Sequence, residues 1–370
     1  MSPVPRPMVF DDSLLDDPAR LADADTSGVL RAAAMSGAQV RSVVERAAEL
    51  ELDARLDVGR ARSLVLVGRS GVGRAVMRLL AALLGPSCPS PVVLADVVPS
   101  WVGALDVVYA HTDDPGDDEL ASSLARASRY GAAVVLTAPE EGPVATAVAG
   151  RGTLLAPRVV VGPDRIFPTV FTVGLRTLSA LDLLDVDFDA LADELDAEAE
   201  RDHLQHESFV NPAKSLALSL ADRTPLLWGL DPVAGAVAEH AAYLLAAEAA
   251  VVADATDYRH AFARSALYRE VSSGSGGRDI FADPDDPDTL VNRRRLLLLS
   301  VRQDAAATAT RRAATEVFSS ADVVDIVDEI GAAEPVAAAV LALRFELAAV
   351  YLGLGAGTIG GANRFTPVQS

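Results

Sequence analysis

The sequence predicts an α/β protein built from two doubly wound, parallel-sheet domains in tandem, with N-terminal, connecting and C-terminal helices. Three observations predict it. First, the apolar runs Leu64-Val-Leu-Val-Gly68, Asp106-Val-Val-Tyr-Ala110 and Ala132-Ala-Val-Val-Leu-Thr137 have later counterparts in Pro225-Leu-Leu-Trp-Gly229, Leu296-Leu-Leu-Leu-Ser300 and Ala321-Asp-Val-Val-Asp-Ile326. Second, an alanine-rich helical pattern separates the last two runs of each set. Short, continuous apolar runs alternating with helices are the pattern of parallel strands covered on both faces. Third, 370 residues suffice for two domains, each with its own core.

The elements follow in order. Residues 1–26 are an acidic lead-in containing proline. The first domain, 27–164, opens with apolar positions at helical spacing that predict a helix over about 27–57. A strand at 63–68 feeds the turn Gly68-Arg-Ser-Gly-Val-Gly73 and a helix to about 84. Strands are predicted at 91–96, 105–110 and 132–138, with an acidic loop at 111–119 and a helix to 130 between the last two. Residues 165–223 read as a helical connector, with an amphipathic, acid-rich stretch from Asp189 to Glu200. The second domain, 224–352, carries the insert Ser272-Ser-Gly-Ser-Gly-Gly-Arg278, followed by Asp283-Pro-Asp-Asp-Pro-Asp288, expected as a mobile surface loop. A long Ala/Leu helix over about 333–352 closes the fold, and the glycine-punctuated tail 353–370 carries no helix signal.

Composition narrows the function. Half the residues are apolar and 5% aromatic, so the core is mostly Ala, Val and Leu. A net charge of −20 argues against nucleic acid and anionic membrane as partners. One cysteine, Cys88, excludes an internal disulfide and a cysteine-rich zinc site. The start, Met1 to Asp17, has Pro and Asp where a secretion signal has a basic apolar run, and charge breaks the apolar stretches; a soluble, cytoplasmic protein is expected. Lys214 is the one lysine, so a catalytic lysine has one candidate. Two similar α/β units place ligand sites at strand ends, which points to small-molecule chemistry.

The first candidate site is the turn Gly68-Arg-Ser-Gly-Val-Gly73, where backbone N–H groups can approach an anion at a helix N-terminus. It reads G-x-x-G-x-G, whereas the dinucleotide fingerprint is G-x-G-x-x-G, with Asp96 as a partner for a ribose hydroxyl. Three readings stand: a nicotinamide site, a tight strand-to-helix turn, or a sugar-contacting loop of Gly68, Ser70 and Gly71 in which Ser70 presents its hydroxyl.

The second candidate carries a resemblance. His111-Thr-Asp-Asp-Pro-Gly-Asp-Asp-Glu119 precedes a helix, Gly131-Ala before the next strand, Thr137 after it, and then a Pro turn. Asn211-Pro-Ala-Lys-Ser-Leu-Ala217 and Arg223-Thr-Pro-Leu-Leu-Trp-Gly229 follow. This layout resembles the sugar isomerase (SIS) domain, and over roughly residues 27–352 it is similar to the tandem-SIS bifunctional phosphoglucose/phosphomannose isomerases. The resemblance implies a hexose phosphate as substrate, aldose–ketose isomerisation by proton transfer, and a homodimer with shared active sites. Family phosphate loops read Ser-x-Ser-Gly-Asn-Thr; here only Thr112 keeps a hydroxyl and aspartates stand at 113, 114, 117 and 118. A carboxylate close to a phosphate in a partly buried site costs on the order of a kcal/mol or more.

In the family a Glu moves the proton, a His from the neighbouring subunit opens the ring, and a C-terminal lysine assists. The resemblance sets Glu248 and His260 in those first two roles. Arg364 is the only cation near the place of the lysine. Arg302, just past a predicted strand, is a candidate anion ligand. His203, His206 and Glu207 could hold a metal or be solvated, and no regular ligand spacing marks the aspartates of 113–118. No cofactor, metal, nucleic acid or membrane partner is expected. Two functions remain open: a hexose-phosphate isomerase with Glu248 and His260 as catalysts, or a non-catalytic SIS-fold protein that binds a sugar phosphate through Gly68, Ser70, Gly71, Thr112, Arg302 and Arg364.

Overall fold

A computed structural model of the chain describes residues 10–274 and 294–360. It divides into two compact units, one of residues 35–196 and one in which the first 34 residues join the chain from 197 onward. The lead-in holds α1 (Pro18–Ala24), capped by Asp17 at the Arg20 N–H, and α2 (Val29–Ala33) follows it. The helix expected over 27–57 is three helices. After α2 come α3 (Ser36–Glu49) and α4 (Leu52–Arg55), separated where Glu51 turns into the left-handed region at φ 51°. Spacing of apolar residues survives such a break, so periodicity alone could not reveal it.

The unit of residues 35–196 holds β1 (Ser63–Gly68), α5 (Val72–Leu84), β2 (Val92–Ala95), β3 (Asp106–His111), α6 (Asp118–Arg129), β4 (Ala133–Thr137), α7 (Pro143–Val148), β5 (Thr153–Leu154) and α8 (Phe167–Ala180). All pairings are parallel, in the order β2-β1-β3-β4-β5. The central strands β1 and β3 are buried along their whole length, which is why they read as unbroken apolar runs. Their side chains alternate between faces. Val65, Val67, Val108, Val134 and Leu136 pack with Leu120 and Leu124 of α6 on one face. On the other, the buried Tyr109 donates its hydroxyl hydrogen to Val170 O of α8 at 2.5 Å. Each such apolar side chain, fully buried, contributes roughly 1.5–3 kcal/mol.

A helix across the unit boundary, α9 (Phe188–Arg201), is the acid-rich stretch expected from Asp189 onward. The second unit continues with α10 (Pro212–Leu220), β6 (Thr224–Gly229), α11 (Pro232–Ala249), β7 (Asp254–Asp257), α12 (Tyr258–Ala263), α13 (Ser265–Gly274), β8 (Arg294–Ser300), α14 (Ala305–Val317), β9 (Asp322–Asp325), α15 (Ile326–Ile330) and α16 (Glu334–Ala356). Its sheet is also parallel, in the order β7-β6-β8-β9. Of the insert expected as a loop, residues 272–274 end α13 and the stretch from 275 lies outside the described residues.

Residues 335–355 of α16 are buried on every side, the mark of a helix at the centre of a core. By length and composition α16 could cross a membrane, yet its most apolar 18-residue window is wholly buried within the fold. The helix runs past residue 352, where sequence placed its end, to Ala356. The glycines there permit close packing, since a Cβ on Gly353 would lie 2.5 Å from Glu248 O. Gly357, at φ 66°, then ends the helix in the left-handed conformation that favours glycine.

Candidate functional site

In a sheet of order 2-1-3-4-5, ligands bind beyond the carboxyl ends of the strands, where the winding direction reverses. That point in the first unit lies between β1 and β3, whose last residues Gly68 and His111 are register partners. The chain leaves β1 through Arg69, Ser70 and Gly71. Gly71 has φ 89° and ψ −146°, a conformation closed to residues with a Cβ, and α5 starts there with no side-chain cap. Strand and helix start approach closely: a Cβ on Gly68 would lie 2.6 Å from Gly73 O. The His111 ring lies over the helix start, 2.8 Å from where a Gly73 Cβ would be. His111 Nδ1–H donates to Thr137 O at 2.9 Å, and burial lowers its pKa, leaving a neutral imidazole.

The loop after β3 consumes its own donors. The buried Thr112 hydroxyl accepts from the Asp114 N–H at 3.1 Å, and Asp114 Oδ1 accepts from the Gly116 N–H at 2.8 Å. Asp117 caps α6 at the Leu120 N–H and binds Arg69 through both carboxylate oxygens, at 2.5 and 3.1 Å. Glu119 adds a second contact to Arg69 at 3.1 Å. Burial alone would lower the Arg69 pKa; the bonds to Asp117 and Glu119 outweigh it and raise the value. An ion pair internal to the protein therefore bridges the two loops. Asp96, the ribose candidate, pairs with Arg74 at 2.9 Å beside a cavity of about 210 Å³ that Gly68 also lines.

The corresponding point in the second unit lies between β6 and β8. Gly229 ends β6, and a Cβ on it would lie 2.2 Å from Gly235 N, repeating the glycine contact of the first unit. Here Asp231 caps α11. Its Oδ1 accepts from the Val233 and Ala234 N–H groups at 3.0 and 2.9 Å. Its Oδ2 accepts from the Val301 and Arg302 N–H groups at 2.8 and 3.0 Å, in the loop after β8. Arg302 donates through Nε to Glu334 at 2.8 Å. Burial raises the Glu334 pKa, the nearby Asp231 and Asp304 charges add to the rise, and Arg302 opposes it.

The structure gathers Gly68, Ser70 and Gly71 at one loop, with Ser70 exposed and Thr112 buried across from it. It does not gather Glu248 and His260. Glu248 is buried in the last turn of α11, at the amino-terminal end of the sheet. His260 follows β7 at the carboxyl end, exposed and paired with Asp257, which caps α12. Arg302 is turned onto Glu334, and Arg364 lies outside the described residues. Lys214 is fully buried and donates to Leu15 O, Leu204 O and His206 O at 2.6, 2.9 and 2.6 Å, a structural clamp. His206 Nδ1 bonds Arg201 O, and no group of three or more His, Cys, Asp or Glu side chains fit to hold a metal occurs among the described residues. Sequence reasoning missed Arg69, Asp117 and Asp231. The Asp231-Pro232 pair signals a helix start, but nothing local signals the reach to Val301 and Arg302.

No protein-family model and no curated protein sequence matches the chain. Solved structures do. A candidate phosphosugar isomerase from Silicibacter pomeroyi superposes with a TM-score of 0.61 at 15% identity, covering 88% of this chain and 96% of that one. Tagatose-6-phosphate ketose/aldose isomerase from Escherichia coli gives 0.56 at 11% identity, covering 92% and 95%. The C-terminal domain of glucosamine-fructose-6-phosphate aminotransferase from Francisella tularensis gives 0.56 at 12%, covering 90% and 97%. The chain has the tandem SIS fold of phosphosugar isomerases. Fold does not carry function across identities this low.

Proposed function

We propose that the protein is a non-catalytic SIS-fold protein that binds a hexose phosphate at the reversal point of its first sheet. The start of α5 carries this reading. Of the two helices that begin there, α6 is capped by Asp117 and α5 has no side-chain cap; its Arg74 N–H donates to Arg69 O, which leaves the Val72 and Gly73 N–H groups beside the loop of Arg69 and the exposed Ser70. A phosphate would accept from those N–H groups and draw the Arg69 guanidinium from Asp117 and Glu119. The competing carboxylates weaken such binding, as suits a sensor more than a storage site. The phosphoglucose/phosphomannose isomerase reading needs Glu248 beside the sugar, and it is buried in the last turn of α11, at the amino-terminal end of the second sheet and away from the strand ends where ligands bind. Cytoplasmic location and a homodimer complete the proposal.

Calorimetric titration with fructose 6-phosphate and with fructose tests it. Fructose 6-phosphate should bind at one site per chain, fructose should not, and Arg69→Ala should weaken binding about tenfold, the worth of one charge-assisted bond. Absence of binding to wild type, or an affinity unmoved by Arg69→Ala, would sink it.

A further inference from the structure

We propose that Asp231 is a built-in anion: it occupies the ligand position at the reversal point of the second sheet and closes that unit to anionic ligands. An N-cap side chain ordinarily satisfies the first N–H groups of its own helix. Asp231 does this for α11 through Val233 and Ala234, and also accepts from Val301 and Arg302, which belong to another strand's loop. Four backbone N–H groups from two loops converging on one buried carboxylate is the coordination that a bound oxyanion takes. The cation at this place is engaged as well, since Arg302 is held by Glu334. These four N–H groups and Arg302 Nε are thus taken, and the carboxylates of Asp231 and Glu334 would repel a phosphate. The repeat is thus asymmetric: the first unit keeps an uncapped helix start, the second carries its own anion.

Melting Asp231→Gly and Asp231→Asn in sodium chloride and in inorganic phosphate at matched pH and ionic strength tests this. Every protein carries Arg69→Ala, which weakens the first unit's site, and each variant is read against that parent, so failure of the sugar-phosphate reading leaves the test intact. Asp231→Gly empties the position; it should melt several degrees lower in chloride and recover at least about half of that loss in phosphate. Asp231→Asn keeps the volume but turns an N–H₂ toward the Val301 and Arg302 donors; it should melt lower and gain nothing specific from phosphate. The Arg69→Ala parent should respond alike to both salts. If Asp231→Gly does not fold in chloride, Asp231→Ser, which keeps a capping hydroxyl, takes its place. The proposal is overturned if phosphate restores the emptied variant no better than chloride, or if it restores Asp231→Asn equally.

Discussion

Arg344 sits in the middle of the most buried helix and is itself buried, held by Glu198 at 2.6 and 3.2 Å and by Glu329 at 2.7 Å. Glu198 is wholly buried; burial would raise its pKa, but Arg344, aided by Arg201, draws it down. Removing the arginine strands that charge, so Arg344→Met should destabilise by about 3 kcal/mol or more, read by urea denaturation. A loss under about 1 kcal/mol would show that Arg201 alone satisfies Glu198. Asp202 behaves oppositely: burial first, and then the neighbouring Glu198 charge, push its pKa up to about 8. The folded chain therefore holds a proton that the unfolded chain, titrating near pH 4, releases. The stability this contributes is full below about pH 4 and is lost as pH rises toward 8. Asp202→Asn keeps an acceptor for the Ala213 N–H, so its Tm should gain on wild type steadily between pH 5 and 8. Parallel profiles would contradict the assignment.

At the scale of elements, each unit depends on a glycine at the strand end and another at the helix start, and the His111 ring fills the space that Gly73 leaves. Gly73→Ala should cost about 1–3 kcal/mol, as overpacking does, visible as a lowered Tm with the fold retained. An unchanged Tm would mean that the ring moves aside freely. The strands were legible in sequence because β1, β3, β6 and β8 are apolar over most of their length, a pattern that burial on both faces produces. The break at Glu51 and the continuation of α16 beyond Gly353 were not, because both depend on what packs against them. The candidate site was half legible. The turn at Gly68 announces itself locally. The bridges from Arg69 to Asp117 and from Asp231 to Val301 join segments brought together only by the pairing of β1 with β3 and β6 with β8. Glu248 and His260 follow one another in sequence, yet a strand between them sends them to opposite ends of a sheet.

For the whole molecule, the two units share one parallel-sheet design and differ at the reversal point of their sheets. The first unit leaves the start of α5 without a side-chain cap and holds Arg69 on Asp117; the second satisfies its helix donors with Asp231. Isomerisation demands more than an anion site, since a base must take a proton from C1 or C2 of an opened sugar. Glu248, the side chain proposed as that base, is buried at the far end of its sheet from the strand ends where ligands bind, and the loop after β3 offers carboxylates already bonded to Arg69 and to backbone N–H groups. The most direct measurement of this account is NMR of the protein with fructose 6-phosphate in D₂O. Broadening of the sugar-phosphate signals is expected, with no deuterium at C1 and no new aldose signals at high protein concentration. Deuterium at C1, or the appearance of glucose or mannose 6-phosphate, would contradict it.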